Sequence, residues 1–283
     1  MRELRLGGEP LEAVLLPEVG ARLHRLTVHG HDLLRTPADP GRHLEEPFFW
    51  GGYPMAPWCN RLAAGVTKVH GHTVSLAANF ADGSAIHGQV ATRPWDVAPD
   101  GSCSVGAGGD GWPWPYQVSL SAAIDGSELR MAWRLTNLAD EPMPAGIGFH
   151  PWWRWPVRLR LDAESVYASN TQPAAEPAAV SGSLDLGRLA APAAGLDGTW
   201  VATGVPLELA WPELGLRARL TTSAAARFVA VATPPDIDAI AVEPQTHAPD
   251  GLRRLLEGRP DGLAWLAPGD ALLLEMRVEV SGA

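Results

Sequence analysis

Apolar side chains occupy every second position of Glu128-Leu129-Arg130-Met131-Ala132-Trp133-Arg134-Leu135-Thr136. Successive side chains of a β-strand point to opposite faces of a sheet, so this alternation places the four large apolar residues on one face. The positions between them are charged, small or polar. The segment therefore predicts a strand with one face in a core and the other in solvent.

Similar segments recur along the chain. Residues 157–161, 216–220 and 272–280 alternate in the same way, whereas residues 228–232 are apolar throughout and predict a strand buried on both faces. The 30 glycines and 26 prolines indicate many turns. One short helix is expected, at residues 250–257. Many short strands separated by turns predict an all-β protein, a sandwich or a barrel.

The chain is expected to form a single domain over residues 1–283. One all-β domain of this length is ordinary. Residues 173–195 are rich in Ala, Pro and Gly, but the strand-like segments on both sides of them are similar. This stretch therefore predicts a long surface excursion and not a linker between domains.

Composition excludes several classes of function. The net charge of -10 argues against nucleic acid as a partner, because phosphate binding requires clustered Lys and Arg. Cys59 and Cys103 are too few for a disulfide framework and favour free thiols in a reducing compartment. We find no signal-peptide pattern and no apolar run near the ~20 residues of a membrane helix. The expectation is a cytoplasmic protein with no membrane partner and an undetermined oligomeric state.

Two familiar motifs have little support from their context. Residues 106–111 match G-x-G-x-x-G, but Trp112-Pro113-Trp114-Pro115 follows, where a dinucleotide site needs a helix. His70-Gly71-His72 would place two imidazoles on one side of a strand, as in metal-binding cupins, but lacks the glutamate expected a few residues later. No G-x-S-x-G elbow supports a serine hydrolase. We expect no cofactor and no metal.

Two strings offer a proton donor and a proton acceptor. Gly148-Phe149-His150-Pro151-Trp152 and Val242-Glu243-Pro244-Gln245-Thr246 each carry one titratable side chain at the edge of a strand-like segment. An acid and a base on opposite sides of an anomeric carbon could open and reclose a sugar ring without a cofactor. Taken singly, His150 could equally be a packing residue and Glu243 a solvated one.

Two further strings carry groups that could bind hydroxyls. They are Pro57-Trp58-Cys59-Asn60-Arg61 and Ile86-His87-Gly88. Arg61 could equally form a surface ion pair, and His87 could simply lead into a turn. The 12 tryptophans fit a sugar site because a pyranose stacks on indole, and we expect one or two of them to contact ligand.

In combination and order these strings resemble the aldose 1-epimerase (galactose mutarotase) family. Residues 54–65, Pro-Met-Ala-Pro-Trp-Cys-Asn-Arg-Leu-Ala-Ala-Gly, are similar to the family's P-M-x-P-[FW]-x-N-R-[IL]-x-x-G segment. The His87, His150 and Glu243 strings follow in the family's order, and residues 266–270 resemble the turn before its final strand. The resemblance runs nearly end to end.

The resemblance implies a large antiparallel β-sandwich with a sugar site in an open cleft. It assigns His150 as general acid and Glu243 as general base, with Arg61 and His87 positioning the ligand. Relatives use an aspartate on sugar hydroxyls, for which Asp197 is the nearest match. Asn60 and Trp152, beside these residues in sequence, complete the expected sugar-binding set.

Which sugar binds stays open. Gln89 follows His-Gly where galactose-acting members often have glycine, and residues 87–95 resemble the hexose-6-phosphate mutarotase branch. That branch has an arginine where Ala91 stands; Arg93 could substitute for it or could instead lie on a strand surface. Three rivals remain: a non-catalytic carbohydrate-binding or regulatory protein, a glycoside hydrolase using Glu243 with Asp197, and a metal-dependent isomerase using His70 and His72.

Overall fold

Strands dominate the computed structural model, which describes residues 1–171, 176–202 and 206–282. Most of them belong to two large antiparallel sheets, which confirms the predicted all-β sandwich. No helix among these residues is long and apolar enough to cross a membrane. Residues 173–175 of the predicted excursion lie outside the described residues, and most of residues 176–195 are exposed.

The strands, in chain order, are β1 (Leu4–Gly8), β2 (Leu11–Leu16), β3 (Arg22–Val28), β4 (His31–Asp32), β5 (Gly52–Met55), β6 (Arg61–Leu62), β7 (Gly65–Val69), β8 (His72–Leu76), β9 (Ala85–Ile86), β10 (Asp96–Val97), β11 (Cys103–Ala107), β12 (Tyr116–Asp125), β13 (Glu128–Asn137), β14 (Met143–Ala145), β15 (Gly148–Arg154), β16 (Arg158–Arg160), β17 (Ser165–Tyr167), β18 (Ala178–Ala179), β19 (Asp197–Val201), β20 (Leu207–Trp211), β21 (Leu216–Thr222), β22 (Phe228–Ala232), β23 (Ala239–Gln245), β24 (Ala264–Leu266) and β25 (Ala271–Gly282). The helices are α1 (Arg42–Glu45) and α2 (Gly251–Leu256), with 3₁₀ turns at Pro17–Val19, Gly182–Leu184 and Pro212–Leu214.

An eleven-stranded sheet runs in the order β1-β2-β3-β5-β15-β23-β22-β19-β17-β18, with β4 paired to β3. An eight-stranded sheet runs β10-β11-β12-β13-β25-β21-β20-β16. The two sheets pack face to face. Trp133 of β13 stacks on Phe149 of β15 with ring centroids 4.6 Å apart, and Trp153 of β15 lies 6.1 Å from Trp211 of β20.

The smaller sheet follows the predicted alternation. In β13 the four apolar residues named in the sequence pattern are buried, and in β25 Leu274, Met276, Val278 and Val280 are buried between exposed charged residues. Strand β22 is buried from Phe228 to Val231, close to the prediction, and α2 lies within the predicted helix.

The centre of the larger sheet is buried on both faces. On β15, Phe149 and Trp153 belong to the core between the sheets, whereas Trp152 belongs to a second apolar cluster on the opposite face. That cluster also contains Tyr53 and Met55 of β5 and Ala239 and Ala241 of β23. The strands thus have a second covered surface, and the polar residues that face it lie out of solvent.

Buried Arg22 helps to cover this second surface. Its guanidinium donates hydrogen bonds to the carbonyl oxygens of Trp50 (2.9 Å) and Pro47 (2.7 Å), and it lies 4.7 Å from the centre of the Tyr53 ring. These contacts hold the segment that precedes β5 over the sheet. The same segment carries Phe48 and Phe49 toward β15.

Candidate active site

A cavity of about 270 Å³ opens on this second surface. The residues that line it come from β15, β19, β22 and β23, from the short strands β6 and β9, and from loops. They are Phe48, Phe49, Asn60, Arg61, Phe80, Ile86, His87, His150, Trp152, Asn170, Gly195, Leu196, Asp197, Ala232, Pro234, Pro235 and Glu243. All seven residues that the sequence nominated are in this set, which brings together chain segments that lie far apart in the sequence.

Strand register brings His150 and Glu243 together. Strands β15 and β23 are antiparallel neighbours with Gly148 opposite Gln245 and Trp152 opposite Ala241. His150 therefore lies across from Glu243, and its Nε2 is 3.1 Å from Glu243 Oε1. The sequence hypothesis placed these groups on opposite sides of a sugar carbon. In the structure they lie side by side on one wall of the cavity.

Gln245 fixes the carboxylate of Glu243. It follows two positions later on the same face of β23, and its Nε2 donates a hydrogen bond of 2.9 Å to Glu243 Oε2. Gln245 is fully buried. The other carboxylate oxygen, Oε1, is left facing His150. Sequence reasoning did not nominate Gln245, although its spacing from Glu243 indicates a shared strand face.

Burial leaves one proton on this pair near neutral pH. Desolvation is the main cause that raises the pKa of Glu243 to about 8, against the hydrogen bond from Gln245. Desolvation also holds the pKa of His150 well below its usual value, with a smaller contribution from His87. The carboxyl is therefore protonated and the imidazole neutral. The pair is one acid and one base within a single hydrogen-bonding distance.

Aromatic rings enclose His150 on three sides. Tyr53 stacks on the imidazole with centroids 4.6 Å apart, His87 meets it edge-on at 5.0 Å, and Trp152 lies tilted at 5.0 Å. Burial lowers the pKa of His87 to about 3, so its ring is neutral. These contacts restrict the imidazole to one orientation. Tyr53 was not predicted from the sequence.

His87 reaches the cavity through an unusual backbone path. Its φ is +61° and that of Gly88 is +73°, both in the left-handed region. A Cβ on residue 88 would lie 2.0 Å from the carbonyl oxygen of Ala56. Glycine is therefore required after His87 for the close approach of the two segments. The chain bends at His87, and this bend carries the His87 side chain to the cavity, so the turn and the ligand-positioning role weighed from the sequence are compatible.

Arg61 lies between two carboxylates. Its Nε donates a hydrogen bond of 2.7 Å to Asp82, and its terminal nitrogen is 3.7 Å from Asp197. Asn60 accepts a hydrogen bond from the backbone N–H of Arg61 through its own side chain (2.8 Å). Arg61 is thus both an ion-pair partner and a residue of the cavity wall, and the two alternatives weighed from the sequence are compatible.

A chain of hydrogen bonds orients Asp197. Asn170 donates to Asp197 Oδ1 at 2.7 Å and accepts a hydrogen bond from Thr199 at 2.7 Å. Thr199 is in turn 3.4 Å from the amide nitrogen of Asn60. Asn170 is buried, lines the cavity and was not predicted from the sequence. The network leaves Asp197 Oδ2 directed toward Arg61.

Of the tryptophans near the site strings, only Trp152 lines this cavity. Its indole N–H donates to the carbonyl oxygen of Phe48 (2.7 Å), which joins β15 to the covering loop. Trp58 instead donates to Ala85, and Trp153 packs in the inter-sheet core. Trp112 and Trp114, in a loop, are also buried core residues. The aromatic wall is completed by phenylalanines that sequence reasoning missed: Phe48, Phe49 and Phe80.

His70 and His72, the two residues of the metal-dependent alternative, have different neighbours in the structure. His70 lies at the tip of the β7–β8 hairpin with φ +46° and stacks on Trp265, whereas His72 starts β8 and lies 2.7 Å from Glu141. The cupin-like arrangement considered as an alternative, with both imidazoles on one side of a strand, is therefore not formed. Within the described ranges, no three His, Cys, Asp or Glu side chains are grouped as a metal site would require.

Residues 106–111, the glycine-rich motif, are not followed by the helix that a dinucleotide site needs. Residues 103–107 form β11, and the next described element is strand β12 at Tyr116, with no helix between them. A Cβ on Gly111 would lie 1.8 Å from the carbonyl oxygen of Ser75. The glycine therefore serves close backbone packing, consistent with the argument from its sequence context.

The chain belongs to the aldose 1-epimerase family, whose model matches residues 3–250. Two Escherichia coli K12 proteins, both uncharacterised, are similar to it. YihR is 28% identical over 143 residues, which are 47% of this chain and 44% of YihR. YphB is 25% identical over 250 residues, which are 81% of this chain and 83% of YphB. The chain thus spans less than half of YihR but most of YphB.

The fold also matches solved structures. A galactose mutarotase-like protein from Clostridium acetobutylicum superposes with a TM-score of 0.86 at 17% identity, over 99% of this chain and 95% of that one. Identity at this level shows a shared fold and not a shared substrate. The predicted sandwich of the family is thereby confirmed.

Proposed function

We propose that this protein is a mutarotase that interconverts the α and β anomers of a free aldose, with His150 as acid and Glu243 as base. The observation that carries the proposal is the buried His150–Glu243 pair, whose Nε2 and Oε1 atoms lie 3.1 Å apart on the wall of the cavity. A protein that only binds sugar has no need of such a pair. Family membership supports the same chemistry.

In the proposed reaction, the proton of the pair resides on the His150 imidazole when the sugar is bound. Glu243 removes the proton of the C1 hydroxyl as His150 protonates the ring oxygen. The bond between C1 and the ring oxygen breaks and the C1 carbonyl forms. Rotation about C1–C2 then presents the other face, and the reverse transfers close the ring.

The side-by-side arrangement suits this chemistry. The C1 hydroxyl oxygen and the ring oxygen are bonded to the same carbon, so an acid and a base that serve both must be neighbours. Gln245 and Tyr53 hold the two groups in place before the sugar arrives. Such preorganisation lowers the cost of reaching a reactive geometry.

A neutral sugar suits the cavity better than a sugar phosphate. Arg61 is the one cationic side chain among the described residues that line it, and Asp82 and Asp197 already flank this guanidinium. Arg93, the candidate substitute for the missing arginine, pairs with Asp110 and is outside the lining set. A phosphate would have to compete with these two carboxylates for the guanidinium and would be repelled by their negative charges.

Polarimetry of freshly dissolved α-D-glucose and α-D-galactose tests the proposal. The protein should speed the approach to anomeric equilibrium, and Glu243→Gln should remove that acceleration while leaving the far-ultraviolet circular dichroism unchanged. Sugar binding without acceleration by the unmodified protein would favour the non-catalytic alternative. Release of free sugar from a methyl glycoside would favour a hydrolase that uses Glu243 with Asp197.

A further inference from the structure

The tripeptide Asp-Gly-Ser occurs three times in this chain, and two copies build the same local turn. In residues 82–84, Asp82 Oδ1 accepts hydrogen bonds from the backbone N–H (3.0 Å) and hydroxyl (2.5 Å) of Ser84. In residues 100–102, Asp100 Oδ1 accepts the same two bonds from Ser102, at 3.0 and 2.7 Å. The third copy, at residues 125–127, forms the β12–β13 hairpin. The turn itself therefore accounts for only one carboxylate oxygen of each aspartate.

The second carboxylate oxygen distinguishes the two turns. Asp82 Oδ2 accepts a hydrogen bond of 2.7 Å from Arg61 Nε, on the wall of the active-site cavity. Asp100 forms no ion pair with any described residue and lies in the exposed turn between β10 and β11. Partial burial opposes ionisation of Asp82, but hydrogen bonds from Ser84 and Arg61 lower its pKa to about 2. Asp82 is therefore a fixed negative charge at any physiological pH.

The loop that carries Asp82 is fastened to the site at more than one point. Asn79 bonds both backbone groups of Ile86 through its side chain, at 2.7 Å to the N–H and 3.1 Å to the carbonyl. Phe80 lines the cavity, and the Arg61 guanidinium lies 5.5 Å from the centre of its ring. The loop of residues 79–84 therefore contributes Phe80 to the cavity wall and is bonded to two other lining residues, Arg61 and Ile86.

Two carboxylates lie near the Arg61 guanidinium, and the distances show which of them forms the closer contact. Asp82 is at 2.7 Å from the guanidinium and Asp197 at 3.7 Å. Without Asp82, the long arginine side chain would be free to close on Asp197 and occupy the oxygen that faces the cavity. With Asp82 in place, the terminal nitrogen of Arg61 stays 3.7 Å from Oδ2 of Asp197, beyond hydrogen-bonding distance, which leaves both groups able to bind sugar hydroxyls.

We propose that Asp82 is a positioning residue that holds Arg61 away from Asp197, so that both can bind the sugar. This inference rests on the proposed function for its kinetic consequence. Asp82 does not itself reach the reacting atoms, so its loss should weaken sugar binding and leave the proton-transfer step intact. It adds the loop of residues 79–84 to the elements that determine specificity.

The kinetic test compares Asp82→Asn with Asp100→Asn, since asparagine can keep the turn in both copies. Asp82→Asn should raise KM about fivefold, the scale of a partly exposed ion pair, with kcat within twofold of the unmodified protein. Asp100→Asn should change neither. In an Arg61→Ala background, Asp82→Asn should have no further effect on KM. An unchanged KM in Asp82→Asn, or an equal effect in both backgrounds, would overturn the proposal.

A second measurement is independent of the activity. The Nε–H resonance of Arg61 in ¹H–¹⁵N spectra, assigned as the one missing in Arg61→Ala, should exchange faster with solvent in Asp82→Asn and stay unchanged in Asp100→Asn. Unaltered exchange in Asp82→Asn would refute the positioning role. If the resonance responds but no sugar is bound or converted, the proposed function fails and the Arg61–Asp82 contact is structural only.

Discussion

The two sheets of the sandwich differ in how many of their faces are buried. In the eight-stranded sheet, β13 and β25 bury one face and leave the other to charged residues in solvent. In the eleven-stranded sheet, β15 and β23 are buried on both faces because loops cover the side away from the core. Only the covered second face combines shelter from water with an opening for a ligand. The polar residues buried there form the candidate site.

Physical chemistry explains why the site lies on the doubly covered sheet. Removing a carboxyl and an imidazole from water shifts both pKa values toward the neutral forms. On the exposed face of β13 and β25 the same residues would keep ordinary values and lose interaction strength to solvent screening. The comparison predicts that substitutions in the smaller sheet affect stability and that substitutions on the covered face affect catalysis.

The largest effect should come from the contact between the sheets. Trp133 is fully buried and stacks on Phe149, so Trp133→Ala should destabilise the protein by about 3–5 kcal/mol. Arg134→Ala, the next residue on the solvent side, should change stability by no more than about 0.5 kcal/mol. Urea unfolding measures both. Equal costs at the two positions would contradict the one-faced burial of β13.

On the covered face, loss of either of the two groups proposed to transfer protons, His150 or Glu243, should reduce kcat rather than stability. Glu243→Gln and His150→Ala should each lower kcat at least ~10²-fold, as expected for an acid or a base. The double variant should lose little more than either single variant, because the two groups act as a unit. Polarimetric rates near those of the unmodified protein in either variant would refute the assignment.

A smaller effect is expected from the binding groups. Arg61→Ala should raise KM by about tenfold, the scale of a hydrogen bond to a charged group, with little change in kcat. The matched control is Arg93→Ala, because Arg93 pairs with Asp110 outside the cavity lining. If Arg93→Ala weakened the binding of a phosphorylated sugar specifically, the argument for a neutral substrate would fail.

The change of kcat/KM with pH near neutrality is expected to be a smaller effect than those of the substitutions. The proposed reaction needs one proton on the His150–Glu243 pair, so kcat/KM should fall to half near pH 8, where Glu243 in the free protein loses its proton. A pH-independent kcat/KM between pH 7 and pH 9 would show that this proton is not needed.

The same group should make stability depend on pH. The folded pKa of Glu243 is raised above its unfolded value, so the folded state binds more protons between pH 4.5 and about 8. Its favourable contribution is complete below pH 4.5 and is lost as pH rises through 8. Urea unfolding of Glu243→Gln, which cannot ionise, should show a weaker decline over this range than the unmodified protein.

The sequence by itself determined the strand pattern and the main chemical groups. Alternating apolar residues predicted β13 and β25 because a strand's two faces follow directly from its two-residue period. The His150 and Glu243 strings were recognisable because each lies within a short local segment. The same period also separates Trp152 from Trp153 on β15, although the sequence analysis did not draw that distinction.

Tertiary structure alone decided which of the local candidates meet. The pairing of β15 with β23 set His150 beside Glu243, and the folding of separate loops brought Asp82 to Arg61 and Asn170 to Asp197. It also took Arg93 to Asp110 and His70 to Trp265, away from the site. Contacts between distant segments depend on strand order and loop paths, which no local pattern encodes. Two identical Asp-Gly-Ser turns can therefore differ in role solely through what packs against them.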